Sequence, residues 1–263
     1  MDPTQQGLQL FALWLLIFVR FAGFVVQAPI WGSHHFDKKI LVASAAVWSC
    51  IVYPSMTVPN ISFEPITYIL MIALQLLVGL IIGYASFMIM SAAQFAGEML
   101  DTQMGLSVAA SYDPASGSSV NMMRRLKFYL AMTLFLIFDG HHKLLETVFR
   151  SFEVIPVTGL NYNGDLIHQL ILMSSQIFYL GVQLASPAMA ALFTTQIGLG
   201  MLARVAPQMN VFMLSFPLNI AIGLTVLGAA LLLIINALHK LFDMNNDDIL
   251  RVIKIMRILP KGG

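Results

Sequence analysis

Long apolar runs alternate with short polar interruptions along this chain. Six apolar segments stand out, at 9–30, 40–54, 66–97, 128–139, 166–202 and 211–241. None alternates with the period of two that marks a half-buried strand, so the pattern predicts helices throughout. A bilayer core about 30 Å thick is crossed by about 20 helical residues. The segments fit that length badly: the fourth is short, and one helix over 65–97 would extend about 50 Å at 1.5 Å per residue. The long ones therefore tilt, break or project beyond the bilayer. The predicted fold class is all-α: a multi-helix integral membrane protein of about six long apolar helices arranged as hairpins, some projecting beyond the bilayer.

Composition strengthens the membrane assignment. The 263 residues are 58% hydrophobic and 10% charged, with mean hydropathy +0.81, whereas soluble domains carry about 25% charged residues. A net charge of +1 offers neither a basic surplus for nucleic acid nor an acidic tail. The single Cys50, in AVWSCIVYP, cannot form an internal disulfide and reads as a small core or lipid-facing residue. No Lys or Arg precedes the first apolar run, so the start lacks the positive region of a cleaved signal peptide and the first helix is expected to stay. Basic residues do not set an orientation, because six spans put six of them on one side and seven on the other.

Prolines and small residues mark the packing. Pro29, Pro187, Pro207 and Pro217 each remove a backbone donor inside or beside an apolar run. In lipid this is tolerated only where protein or water satisfies the freed carbonyl. Gly79 and Gly83, and then Ala92, Ala93, Ala96 and Gly97, put small residues on one face. They serve close helix approach either within the chain or to another subunit. Near the end, in DDILRVIKIMRILPKGG, Asp248, Arg251, Lys254 and Arg257 recur every three residues among apolar ones. This predicts an amphipathic helix with a narrow polar stripe, lying on lipid or docked on a partner. Without linkers, low-complexity tracts or repeats, 1–263 is treated as one domain.

Candidate chemistry is sparse. His34 with His35, and His141 with His142, are adjacent in sequence, and neighbours on a helix point apart. Neither pair has the i, i+4 spacing of a helical metal site, so no metal is expected. No nucleophile–base–acid arrangement or phosphate-cradling loop appears, so no catalytic residue is assigned and the chain is not expected to be an enzyme. Arg20 interrupts the first span, Glu98 and Asp101 close the third, Asp139 closes the fourth, and Arg204 lies between the last two. Charges in lipid cost about 3 kcal/mol or more, so such residues face protein or water. They pair within the chain, line a hydrated channel, or contact neighbouring subunits. A small secondary transporter would use Arg20, Glu98, Asp101 and Asp139 as a relay. It also predicts internal repeats and mid-span charges; there is no repeat, and only Arg20 is mid-span.

The segment GEMLDTQMGLSVAASYDPASGSSVNMMRR, 97–125, is different in kind. Between Gln103 and Met123 it holds Gly105, Pro114 and Gly117 with five serines, Ser107 among them, flanked by Met99, Met104, Met122 and Met123. Methionine conforms to irregular surfaces, and small residues let backbone approach backbone. The segment is either an exposed connector or a mobile seal. As a seal its candidate residues are Gln103, Met104, Gly105, Leu106, Ser107, Tyr112, Asp113, Pro114, Gly117, Met122 and Met123.

Several stretches together resemble the FliR family of bacterial flagellar export-gate proteins, related to the injectisome SctT family. They are VRFAGFVVQAPIWG (19–32), AGEMLDTQMGLSVAASYDP (96–114), FDGHHKLL (138–145), SFEVIP (151–156), SPAM (186–189) and ARVAPQMNVFMLSFPLNIAIG (203–223). The resemblance implies a non-enzymatic component of the type III export gate, without cofactors, in the inner membrane at the flagellar basal body. The implied partners are FliP and FliQ, with FlhB and FlhA, unfolded export substrates and membrane lipid, and no nucleic acid. Residues 103–123 would correspond to a plug-like loop within the N-terminal helices (1–165), with Glu98 at its helical base. Residues 166–241 would form a FliQ-like hairpin with Arg204, Pro207 and Gln208 in its turn, before an amphipathic tail at 242–263. Arg20, Pro29, Glu98, Asp101, Asp139, Arg204, Pro207 and Gln208 are then candidate structural or inter-subunit residues. Asn219 stands where injectisome relatives are more basic, which favours the flagellar branch.

Overall fold

The computed structural model describes residues 3–32, 37–56, 61, 63–106, 121–157 and 164–256. Among them lie eight α-helices, one 3-10 turn (Tyr53–Ser55) and no strand. The helices are α1 (Pro3–Gln27), α2 (Lys38–Val52), α3 (Pro65–Gln103), α4 (Met122–Ile137), α5 (Gly140–Val154), α6 (Gly164–Val205), α7 (Val211–Ala229) and α8 (Leu231–Ile255). Among the described residues, four stretches are long and apolar enough to cross a membrane: Thr4–Gln27, Pro65–Gln103, Asp165–Val205 and Val211–Ala229. The chain is an all-α membrane protein. Two of the six expected segments fall short, since α2 and α4, of 15 and 16 residues, extend only about 24 Å.

Local chemistry sets the helix ends. Pro3 and Pro65 open α1 and α3, where a missing N–H would be unpaired in any case. Asp37 caps α2, its carboxylate accepting from the Lys39 N–H at 3.2 Å. Asp165 in the first turn and Arg204 in the last turn of α6 complement the helix dipole.

The two longest runs remain single helices. α3 continues for 39 residues and α6 for 42, about 58 and 63 Å. Pro187 sits inside α6 and leaves the Gln183 carbonyl without its usual backbone donor; the Ser186 hydroxyl donates to that oxygen at 2.9 Å instead. Pro217 likewise lies inside α7, whereas Pro29 and Pro207 lie in turns between helices. The 211–241 run, in contrast, divides without a proline: Ala230 (φ −83°, ψ 1°) separates α7 from α8. α8 then continues through the amphipathic stretch, where Ile249, Val252, Ile253 and Met256 are buried and Arg251 and Lys254 exposed. Asp248 departs from the expected polar stripe, being buried with Arg251 3.6 Å away.

The chain forms two compact units. The first comprises Met1–Met88, Asp139–Met173 and Asp243–Gly263, the second Ile89–Phe138 and Ser174–Phe242. In the first, Phe21 meets Trp48, Phe149 and Phe152 with ring centroids 5.5 to 5.9 Å apart. A Cβ on Gly79 would overlap the Arg20 carbonyl oxygen, and one on Gly83 would lie 2.6 Å from that of Phe24. The paired glycines therefore serve packing of α3 on α1 within the chain. In the second unit, Ala92, Ala93 and Ala96 are buried and Phe95 meets Phe178 edge-on at 5.1 Å.

Candidate functional site

The base of the 103–123 segment lies in the second unit, where the end of α3 meets the start of α4. Asn121 occupies the N-cap position of α4 but makes no side-chain cap. Asp101, from α3, supplies the cap: its two carboxylate oxygens accept from the Met123 N–H at 2.8 Å and the Arg124 N–H at 3.0 Å. Asp101 is only 2% exposed, and the helix dipole favours its negative charge there. Gly97 permits the approach, since a Cβ would overlap the Arg124 Cα. Gln94 completes it, accepting from the Arg124 guanidinium at 3.1 and 3.2 Å.

The outgoing side of the segment rests on α7. Met104 and Met123 are buried. Gly105 has φ +76°, a conformation side chains resist, and its α-carbon faces the Phe216 ring, 2.6 Å from a would-be Cβ. Met104 reaches Gly223. Phe216, Asn219 and Gly223 share this face of α7 by helical spacing, and the buried Asn219 Oδ1 has no hydrogen-bond partner. Gln103 accepts from the Gln196 amide at 2.9 Å. Leu106 is half-buried, Met122 exposed, and Ser107, Tyr112, Asp113, Pro114 and Gly117 lie outside the described residues. Further along α4, the buried Lys127 ammonium donates to the Leu184 carbonyl at 3.0 Å, and desolvation pushes it down to about 8.

The other candidates are divided between the two units. Arg20 is fully buried in the first unit. It donates to Gln75 Oε1 at 2.7 Å, Ser151 Oγ at 3.3 Å and the Ile155 carbonyl at 3.1 Å, with the Phe152 ring centroid 4.2 Å from its guanidinium carbon. Gln75 in turn donates to the Val157 carbonyl at 2.7 Å. Arg20 thus ties α1, α3 and α5 together. Glu98, Arg204, Pro207 and Gln208 are exposed, and Pro29 lies in the turn after α1. Asp139 precedes α5 in a left-handed conformation and approaches His142 at 3.3 Å. His141 and His142 do not point apart as expected: at this first turn their ring centroids are 4.1 Å apart. His34 and His35 lie outside the described residues.

Gln75, Gln94, Lys127 and Asn219 were not singled out as site residues by sequence. A buried amide inside an apolar run was the available signal for Gln75 and Asn219, since such a group needs a partner in the protein.

A family model described as Bacterial export proteins, family 1, matches residues 11–244. The chain belongs to this family. Among similar family members, the flagellar biosynthetic protein FliR of Escherichia coli K12 is 29% identical over 240 residues, covering 91% of this chain and 92% of that protein. The flagellar biosynthetic protein FliR of Bacillus subtilis 168 is 27% identical over 254 residues, covering 95% and 98%. The Yop proteins translocation protein T of Yersinia pestis is 27% identical over 252 residues, covering 93% of each. The resemblance to FliR and to its injectisome relatives is therefore borne out over nearly the whole chain. As a bacterial export protein the chain is a transport component built of membrane helices.

Proposed function

We propose that this chain is a non-enzymatic structural component of the flagellar type III export gate, seated in the bacterial inner membrane. In this reading it assembles with FliP and FliQ, contacts FlhB and FlhA, and forms part of the pore through which unfolded substrates pass. The segment 103–123 closes that pore sterically, and α6 with α7 forms the FliQ-like hairpin. One observation carries the reading. Asp101, beside the start of the segment, is fastened to the backbone at its end across the α3–α4 approach. The end-to-end match to flagellar proteins of two bacteria supports the flagellar assignment.

The Yersinia relative supports a second reading, the injectisome counterpart of the same gate. A charge relay finds less support, because Arg20 is held by neutral groups and Asp101 by backbone amides. The test is affinity purification of the tagged protein from its own cells in mild detergent, followed by native mass spectrometry. A hetero-oligomer with two other small helical membrane proteins is expected. Emergence alone or as a plain homodimer would remove the gate reading.

A further inference from the structure

We infer that Asp139, His141 and His142 form a binding site for a first-row divalent transition ion of the Zn2+ class. The inference is independent of the export reading. One carboxylate oxygen and one nitrogen from each ring lie within 4.8 Å of one another. Ligands of a tetrahedral ion at about 2.0–2.1 Å are separated by about 3.4 Å, so small side-chain rotations close the cluster.

The three groups meet at the N-terminus of α5. Asp139 has φ 55° and ψ 27°, the left-handed region, which aspartate enters more readily than most residues. Its carboxylate oxygen comes within 3.3 Å of His142 Nδ1. The rings of His141 and His142, in the first turn of α5, tilt together at 4.1 Å. Among the described residues, the buried Nδ1 of His141 has no hydrogen-bond partner, so none of their carbonyls or hydroxyls engages the ring at that nitrogen. The neighbouring Lys143 ammonium is engaged by Asp243 at 2.8 Å, which offsets the nearest competing positive charge.

Two imidazoles and a carboxylate make a donor set suited to Zn2+, Ni2+ or Cu2+ rather than to Mg2+ or Ca2+. Asp139 and His142 side chains are each 71% exposed, so an ion has direct access and water completes its shell.

The test uses the full chain, purified in detergent on a tag without histidine, stripped with chelator and titrated calorimetrically with ZnCl2. A single Zn2+ per chain is expected, with affinity lowered about tenfold or more by His141→Ala and by His142→Ala. Replacing His34 and His35 together should leave binding unchanged. X-ray absorption on the Zn2+-loaded natural chain should show two imidazoles in the first shell, a readout that needs no variant to fold. Absence of binding, binding unaffected by His141→Ala and His142→Ala, loss with the His34/His35 pair, or a shell without imidazole would each overturn the inference.

Discussion

Asp101 is the residue on which the loop base depends. Its carboxylate is the acceptor for two N–H groups at the start of α4, donors that a helix cannot pair internally. Removing such a cap costs about 1–2 kcal/mol. Asp101→Ala should therefore lower the thermal midpoint of the purified protein, and Asp101→Asn, which keeps one acceptor oxygen, should lower it less. Equal midpoints for parent and Asp101→Ala would deny the cap its role. Sequence marked Asp101 as an acid at the end of a span, yet its partners are backbone amides 22 and 23 positions away. Backbone groups leave no signature in residue identity. Lys127 gives a pH test. Burial lowers its ammonium from the ordinary 10.5 to about 8, so between those values the unfolded chain binds more protons than the folded one. Stability should rise with pH through that window and gain nothing from this group below it. Lys127→Met should flatten the rise, as read from the difference between melting midpoints at about pH 7.5 and about pH 9.5.

At the scale of elements, close helix approach is carried by glycine. Gly97→Leu forces a side chain into the α4 backbone and should cost about 1–3 kcal/mol. Gly198, on α6 with open space around a Cβ, is the control. Gly198→Ala should stabilise by up to about 1 kcal/mol through helix propensity. Comparable losses at both positions, measured by denaturation in detergent, would contradict the packing described. The spacing of Gly79 and Gly83 was legible because two small residues one turn apart mark a helix face directly. The division at Ala230 was not, because alanine is a strong helix former and the run carries no breaker there. Nor was the meeting of His141 and His142, since it depends on how the two side chains are turned, which residue spacing on an ideal helix does not contain. Arg20 stood out as a charge in an apolar run, but Gln75 and Ser151 lie 55 and 131 positions away.

For the whole molecule, the composition and apolar runs made the membrane class legible, and ordered motifs across the chain made the family legible. The number of spanning helices was less so, because segments such as 40–54 and 128–139 are apolar without being long. Membership of the bacterial export family makes the chain an export component. The proposal that the 103–123 segment closes a pore is open to direct test. The measurement is membrane permeability to ions and small solutes, alongside export, in cells whose own copy carries a Gly and Ser linker in place of residues 107–119. The account predicts leakage above that of the parent at equal protein level in the membrane. Unchanged leakage and unchanged export would contradict it and leave the chain a scaffold beside the passage rather than part of its closure.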